Sequence, residues 1–149
     1  MGSLNLPKQG LVYVDAMIVI YSVDGHPIYS PICAPLWQAA QKGDLTVVSS
    51  ELIIMETRIG PIRAKDMAQV QVREDVWKMS GTLLLPITLQ ILRDASNIRA
   101  GNPAIKTPDA IHISTAMMHK CALFVTNDIG FRRVPGLPAV FLDEILSDR

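Results

Sequence analysis

Five short apolar runs alternate with helical segments along the chain, and this alternation constrains the fold more than any other feature. The runs fall at residues 11–14, 45–48, 83–87, 122–126 and 139–142. Strands buried on both faces are continuous apolar runs, and strands that alternate with helices form a parallel sheet covered by those helices. The sequence therefore predicts a three-layer α/β/α sandwich with a central parallel sheet of about five strands.

Capping residues and helix breakers place helices between these strands. Residues 16–22 are ambiguous, because β-branched side chains fit both a strand and a short helix. Pro86 places the third strand near an edge of the sheet. Thr107 is predicted as an N-cap, with Pro108 at the first helical position. The other predicted helices cover residues 32–42, 51 to Gly60-Pro61, 62–79 and 88–101.

The bulk properties indicate one domain with surplus apolar surface. A chain of 149 residues with 49% hydrophobic residues is long enough for one substantial core. We expect a single domain over 1–149, with an N-terminal extension at 1–9 and a C-terminal tail at 143–149. The mean hydropathy is +0.26, yet no apolar run approaches the ~18 residues of a membrane helix. Buried contact with a partner or a second copy explains such a surplus.

Charge and cysteine usage narrow the setting further. Lys and Arg number 14 and balance 14 Asp and Glu, so any nucleic-acid binding must depend on local basic patches. Cys33 and Cys121 lack CxxC spacing, which favours two buried free thiols in a reducing cytoplasm. No secretory signal is recognisable at the N-terminus, and we expect a cytoplasmic protein.

Four carboxylates fall where a parallel sheet would gather them. Asp15 ends the first strand, and Asp128 follows the fourth. Glu56 follows the second strand by about two helical turns, and Asp109 lies in the first turn of a helix. Ligands of such sheets bind beyond the carboxyl ends of the strands. Each acid alone has an ordinary structural explanation, such as a helix-dipole or turn preference; the four together indicate a site.

Carboxylates brought together repel each other and need a cation among them to stay ionised. Oxygen ligands suit Mg²⁺ or Mn²⁺, whereas Zn²⁺ prefers His and Cys. The chemistry that follows is metal-assisted phosphodiester hydrolysis. Thr126, at the end of the fourth strand, is placed to hydrogen-bond a metal-bound water or a substrate phosphate.

The acids and their surroundings resemble the PIN-domain ribonuclease family. The matching strings are VYVDAMIVIYSVDGHP, SSELIIMETRIGP, TPDAIHISTAM and FVTNDIGF, in an order and spacing that cover residues 11 to 142. The resemblance implies Mg²⁺ ligation by Asp15, Glu56, Asp109 and Asp128, with Thr126 as a polar site residue, and cleavage of single-stranded RNA. Glu51 is an alternative to Glu56 as the second of these four acids. In the family this acid is followed by a Gly a few residues later, and Gly60 satisfies that pattern for Glu56.

Partners and substrate contacts are also implied by this resemblance. Many small members are VapC-type toxins of toxin–antitoxin systems, which are inhibited by a cognate antitoxin and usually dimeric. The predicted substrate contacts are Thr126, Asn127, Arg58 and Arg132; further basic candidates are Arg63, Lys65, Lys106 and Arg133. The segment 62–79, rich in Gln, Val and Met, is a candidate interface for the antitoxin or for a second subunit.

Two other classes of protein are alternatives to a nuclease. A receiver-like regulatory domain needs paired acids after the first strand and a Lys after the last, and this chain has neither. A PIN fold without catalysis that serves as a binding module is the other alternative, and the presence of all four acids argues against it. His112 and His119 are seven residues apart, too far to ligate one metal in the manner of HExxH, and were given no role.

Overall fold

A computed structural model describes residues 2–147 and has five parallel strands. They are β1 (Leu11–Val14), β2 (Thr46–Ser50), β3 (Thr82–Leu85), β4 (Leu123–Thr126) and β5 (Ala139–Phe141). The order across the sheet is β3-β2-β1-β4-β5, and all four pairings are parallel. The predicted three-layer α/β/α architecture is confirmed. β3 is an edge strand, as Pro86 indicated.

Within residues 2–147, seven helices accompany this sheet. They are α1 (Ala16–Val23), α2 (Tyr29–Gln41), α3 (Leu52–Arg63), α4 (Met67–Asp75), α5 (Leu89–Gly101), α6 (Thr107–Met118) and α7 (Leu142–Ser147), with 3-10 turns at Val76–Lys78 and Ile129–Arg133. The ambiguous segment after Asp15 is helical. Within residues 2–147, no helix combines the length and the apolar character needed to cross a membrane.

The hydrophobic core lies on both faces of the sheet. One cluster includes Val12, Val14 and Leu36, and the other includes Tyr13 and Phe124. β1 contributes to both clusters because successive strand side chains point to opposite faces. Its central position therefore places Asp15, the next residue, at the middle of the carboxyl edge of the sheet.

The structure corrects the predicted boundary at Gly60-Pro61. α3 continues through Pro61 to Arg63, and Lys65 ends it with a positive φ of 57°. Asp66 N donates to Pro61 O and Lys65 N donates to Ile62 O, which is the pairing of a Schellman motif. The predicted single helix over 62–79 is wrong, because this motif breaks it into the end of α3, α4 and a 3-10 turn.

Smaller differences occur at two other helix ends. Lys106, rather than Thr107, is the N-cap of α6, and no side chain caps it. The expected tail at 143–149 is helical as far as Ser147, and residues 148 and 149 lie outside the described part of the chain. Cys33 and Cys121 are buried free thiols, as predicted.

Candidate active site

The four predicted acids line one cavity of about 290 Å³ at the carboxyl edge of the sheet. They come from different parts of the chain: the end of β1, the middle of α3, the first turn of α6 and the turn after β4. The other lining residues are Ala16, Met17, Ile20, His112 and Phe131. The fold therefore brings together acids that are up to 113 positions apart in the sequence, from Asp15 to Asp128.

Asp15 is the most buried of the four. Its side chain caps α1 by accepting a hydrogen bond from Ile18 N, and it also accepts one from the Thr126 hydroxyl. The residue is only 7% exposed, and burial raises the pKa of its carboxyl from 3.8 to about 6. The two hydrogen bonds favour the carboxylate but do not offset the lost hydration.

Thr126 joins two of the acids. Its hydroxyl donates to Asp15 and accepts from Asp128 N at 3.0 Å. The Asp128 carboxylate in turn accepts from Gly130 N at 2.8 Å and caps the following 3-10 turn. Thr126 is fully buried, so its hydroxyl holds the acids in place instead of lining the cavity itself.

Asp109 faces the same cavity from the first turn of α6. Burial raises the pKa of its carboxyl, and the negative charge of Asp128 raises it further. A carboxyl whose ionisation is disfavoured by burial and by a neighbouring negative charge belongs to a site that favours a bound cation. Within residues 2–147, no Lys or Arg forms an ion pair with any of the four acids.

Glu56 has a hydrogen-bond partner in the wall of the cavity. Its Oε1 lies 2.5 Å from His112 Nε2, and His112 Nδ1 lies 2.5 Å from the Tyr13 hydroxyl. Ser50 N donates to that hydroxyl at 3.0 Å. Tyr13 and His112 are almost entirely buried, so the series of bonds runs from the interior of the sheet to the cavity wall.

The donor chemistry of the cavity fits Mg²⁺, which prefers oxygen ligands. In the part of the chain that the structure describes, no three His, Cys, Asp or Glu side chains lie close enough together to hold one ion between them. Glu56 is turned toward His112, and Asp15 toward Thr126. Mg²⁺ keeps several waters and is commonly bound through one or two carboxylates, so this wider spacing suits a hydrated ion.

Three expected substrate contacts are occupied elsewhere and do not line the cavity. Asn127 Oδ1 accepts a hydrogen bond from Asp143 N at 2.9 Å. Arg58 pairs with Glu74 at 3.3 Å, and Arg132 pairs with Glu144 while lying over the Phe141 ring. Glu51, the rival of Glu56, also lies outside the lining, where its carboxylate accepts from Ile87 N at 3.0 Å.

His112 and Tyr13 are the site residues that sequence reasoning missed. His112 follows Asp109 by three positions on α6, which places both on one face of a helix. Tyr13 precedes Asp15 by two positions on β1, and residues two apart on a strand point to the same side. These spacings were available from the sequence, but only the tertiary structure shows that His112 contacts Glu56 and that Tyr13 contacts His112.

The chain belongs to the PIN domain family, whose match extends over residues 12–137. The matched region contains most of β1, all of β2 to β4 and all four acids. Comparison with curated protein sequences gives no match.

Three solved structures are similar in fold. VapBC2 from Rickettsia felis, bound to a DNA fragment from their promoter, has a TM-score of 0.71 at 20% identity, covering 88% of this chain and 98% of that chain. A toxin–antitoxin complex from Klebsiella pneumoniae has a TM-score of 0.61 at 21% identity, covering 88% of this chain and 97% of that chain. VapBC-1 from nontypeable Haemophilus influenzae has a TM-score of 0.63 at 15% identity, covering 89% of this chain and 98% of that chain. At these identities the likeness establishes a common fold.

Proposed function

We propose that this protein is a Mg²⁺-dependent endoribonuclease that cleaves single-stranded RNA, and that it is the toxin of a type II toxin–antitoxin system. The observation that carries the nuclease proposal is that Asp15, Glu56, Asp109 and Asp128 line one cavity and that, among the described residues, none of them forms an ion pair with a Lys or Arg. PIN domains are generally nucleases, and this chain keeps all four acids.

The four acids would hold the Mg²⁺ ion, and Mn²⁺ is a suitable substitute. When bound, the ion supplies an activated water and neutralises charge on the leaving oxygen of the phosphodiester. The protein contributes orientation: Thr126 and Ile18 N hold Asp15, and Gly130 N holds Asp128. Ala16, Met17, Ile20 and Phe131 form the apolar part of the cavity wall.

Substrate contacts beyond the acids are a further part of the proposal. Asn127, Arg58 and Arg132 lie within four residues of Asp128 or Glu56 in the sequence. Each is held in the free protein by an intramolecular partner. RNA phosphates would have to compete with these partners, so the two arginines would contribute modestly to affinity.

The toxin setting and the partners are inferred from the structural relatives. The Klebsiella pneumoniae relative is a toxin–antitoxin complex, and two others are VapBC proteins. A cognate antitoxin and a homodimer would cover the exposed apolar side chains on α3, α4 and α5. Because the proposed substrate is cellular RNA, we infer that the protein acts in the cytoplasm.

The test is cleavage of end-labelled single-stranded RNA by the purified protein with Mg²⁺, with Mn²⁺ and with EDTA. We expect cleavage with either metal and none with the chelator. Parallel reactions on single-stranded DNA and double-stranded RNA define the substrate class. If the protein binds RNA but does not cleave it under any metal condition, the nuclease proposal is wrong and the protein is a non-catalytic binding module.

A further inference from the structure

A buried series of hydrogen bonds reaches Glu56 from behind the cavity. It begins at Ser50 N, passes through the Tyr13 hydroxyl and the His112 imidazole, and ends on Glu56 Oε1. His112 is 2% exposed, whereas the Glu56 side chain is 24% exposed. A partly exposed Glu side chain samples several rotamers unless a contact holds it.

The order of donors along this series follows from its fixed end. Ser50 N can only donate, so the Tyr13 oxygen accepts there and its own proton is free to point at His112 Nδ1. A neutral imidazole that accepts at Nδ1 carries its proton on Nε2. That proton then points directly at the Glu56 carboxylate.

We propose that His112 is a positioning residue for Glu56 and that Tyr13 selects the imidazole tautomer able to perform this role. The proposal rests on the proposed function, because it assigns Glu56 a ligand role toward the metal. Holding Oε1 turns the carboxylate so that Oε2 is available to the cavity, where the structure gives it no hydrogen-bond partner within residues 2–147.

A purely structural histidine would not require this arrangement. The interior around His112 includes Ile111 and Ile113 on the same helix, so an apolar side chain would pack there without polar atoms to satisfy. Instead, both ring nitrogens have partners from different elements, β1 and α3. Residues behind a metal ligand that fix its orientation affect metal affinity by about 10- to 100-fold.

The first experiment is a calorimetric Mn²⁺ titration of four proteins without RNA. His112→Leu should weaken Mn²⁺ binding by about 10-fold or more. His112→Gln should restore most of the affinity, because its amide can donate to Glu56 from nearly the same place. His119→Leu, a histidine at the other end of α6, is the matched control and should bind like wild type. Wild-type affinity in His112→Leu would overturn the proposal.

The second experiment reads the tautomer by ¹H–¹⁵N NMR of histidine-labelled protein. Wild-type His112 should carry its proton on Nε2. Tyr13→Phe, which keeps the ring that stacks on Phe124 at 4.9 Å, should weaken this preference, because only the Glu56 carboxylate then favours a proton on Nε2. A proton on Nδ1 in wild type, or no change in Tyr13→Phe, would overturn the proposal. If wild type binds no Mn²⁺, the metal site of the proposed function fails, and the NMR result still decides the role of Tyr13 and His112.

Discussion

Asp15 illustrates how a proposed metal ligand can destabilise the folded protein. It ends a buried strand at the centre of the sheet, and burial raises the pKa of its carboxyl from 3.8 to about 6. A raised pKa in the folded state means that folding favours the protonated acid. The ionised form at neutral pH therefore costs about 3 kcal/mol of folding free energy, which a bound cation would offset.

This cost predicts a pH dependence of stability with a definite sign. In EDTA, the free energy of unfolding of wild type should fall, relative to Asp15→Asn, as the pH rises from about 4 through about 6, and the difference should level off above that range. Urea denaturation of both proteins at a series of pH values measures it. The raised pKa of Asp109 acts equally in both proteins and cancels. A difference that stays constant from pH 4 to 7 would contradict the burial argument.

The residues of the site differ in how far the sequence alone could place them. Asp15 and Asp128 follow apolar strands, so strand-end geometry indicated a common edge. Thr126 was predicted at that edge as a contact for water or phosphate, whereas the structure shows a buried hydroxyl that joins Asp15 and Asp128. The partner of Glu56 could not be predicted, because the contact joins side chains 56 positions apart and depends on the tertiary structure.

α3 shows at the scale of an element why a helix continues through a proline. Pro61 has no N–H, so the carbonyl of Thr57, four residues earlier, loses its helical partner. Arg73 on α4 replaces that partner, because its Nη1 donates to Thr57 O at 3.0 Å. Its Nη2 binds Asp24 at 2.9 Å and thereby ties α4 to the end of α1. The wall of the site that carries Glu56 thus depends on a buried arginine.

A double-mutant cycle tests this replacement. Arg73→Leu should destabilise the protein by about 1–3 kcal/mol, because it leaves a buried carbonyl unsatisfied. In the Pro61→Ala background the same change should cost about 1 kcal/mol less, since the backbone N–H of residue 61 can then bind Thr57 O. Urea denaturation of the four proteins gives the coupling energy. Additive effects of the two substitutions would show that Arg73 does not act through this carbonyl.

Predicting elements from sequence succeeded where the signal was local and failed where it was not. The five strands were located because buried parallel strands are continuous apolar runs. The end of α3 was predicted at Gly60-Pro61, too early in the chain. The helix can continue through Pro61 because Arg73 donates to the Thr57 carbonyl, and this tertiary contact could not be predicted from the sequence. The true end, at Lys65, carries no glycine to mark it; α6 ends in the same way at Lys120, which also has a positive φ.

At the scale of the whole molecule, one stripe of exposed apolar side chains lies on α3, the helix that carries Glu56. Met55, Ile59 and Ile62 are exposed and follow one face of α3 at spacings of four and three, and Met67 is exposed at the start of α4. Glu56 is the immediate neighbour of Met55. A partner that covered this stripe would therefore lie next to the cavity, in the position required of an inhibitor.

We expect a surface charge on the stripe to prevent antitoxin binding. Ile59→Lys should fail to co-purify with the product of a short adjacent antitoxin gene. Met118→Lys, an equally exposed apolar position at the far end of α6, should co-purify like wild type. Affinity purification after co-expression gives the comparison. Equal recovery with both variants would place the partner elsewhere, and the lack of a short adjacent gene would contradict the toxin assignment.

The central claim is that the acids lining the cavity perform the cleavage. The direct measurement is the single-turnover rate of cleavage of a labelled single-stranded RNA in Mn²⁺ by wild type, Asp15→Asn, Asp128→Asn and the control Asp94→Asn, an exposed acid on α5 that hydrogen-bonds Gln90. We predict losses of at least about 100-fold for Asp15→Asn and Asp128→Asn, the effect of removing one charge-stabilising group from an active site, and an unchanged rate for Asp94→Asn. Equal rates in all four proteins would contradict the assignment.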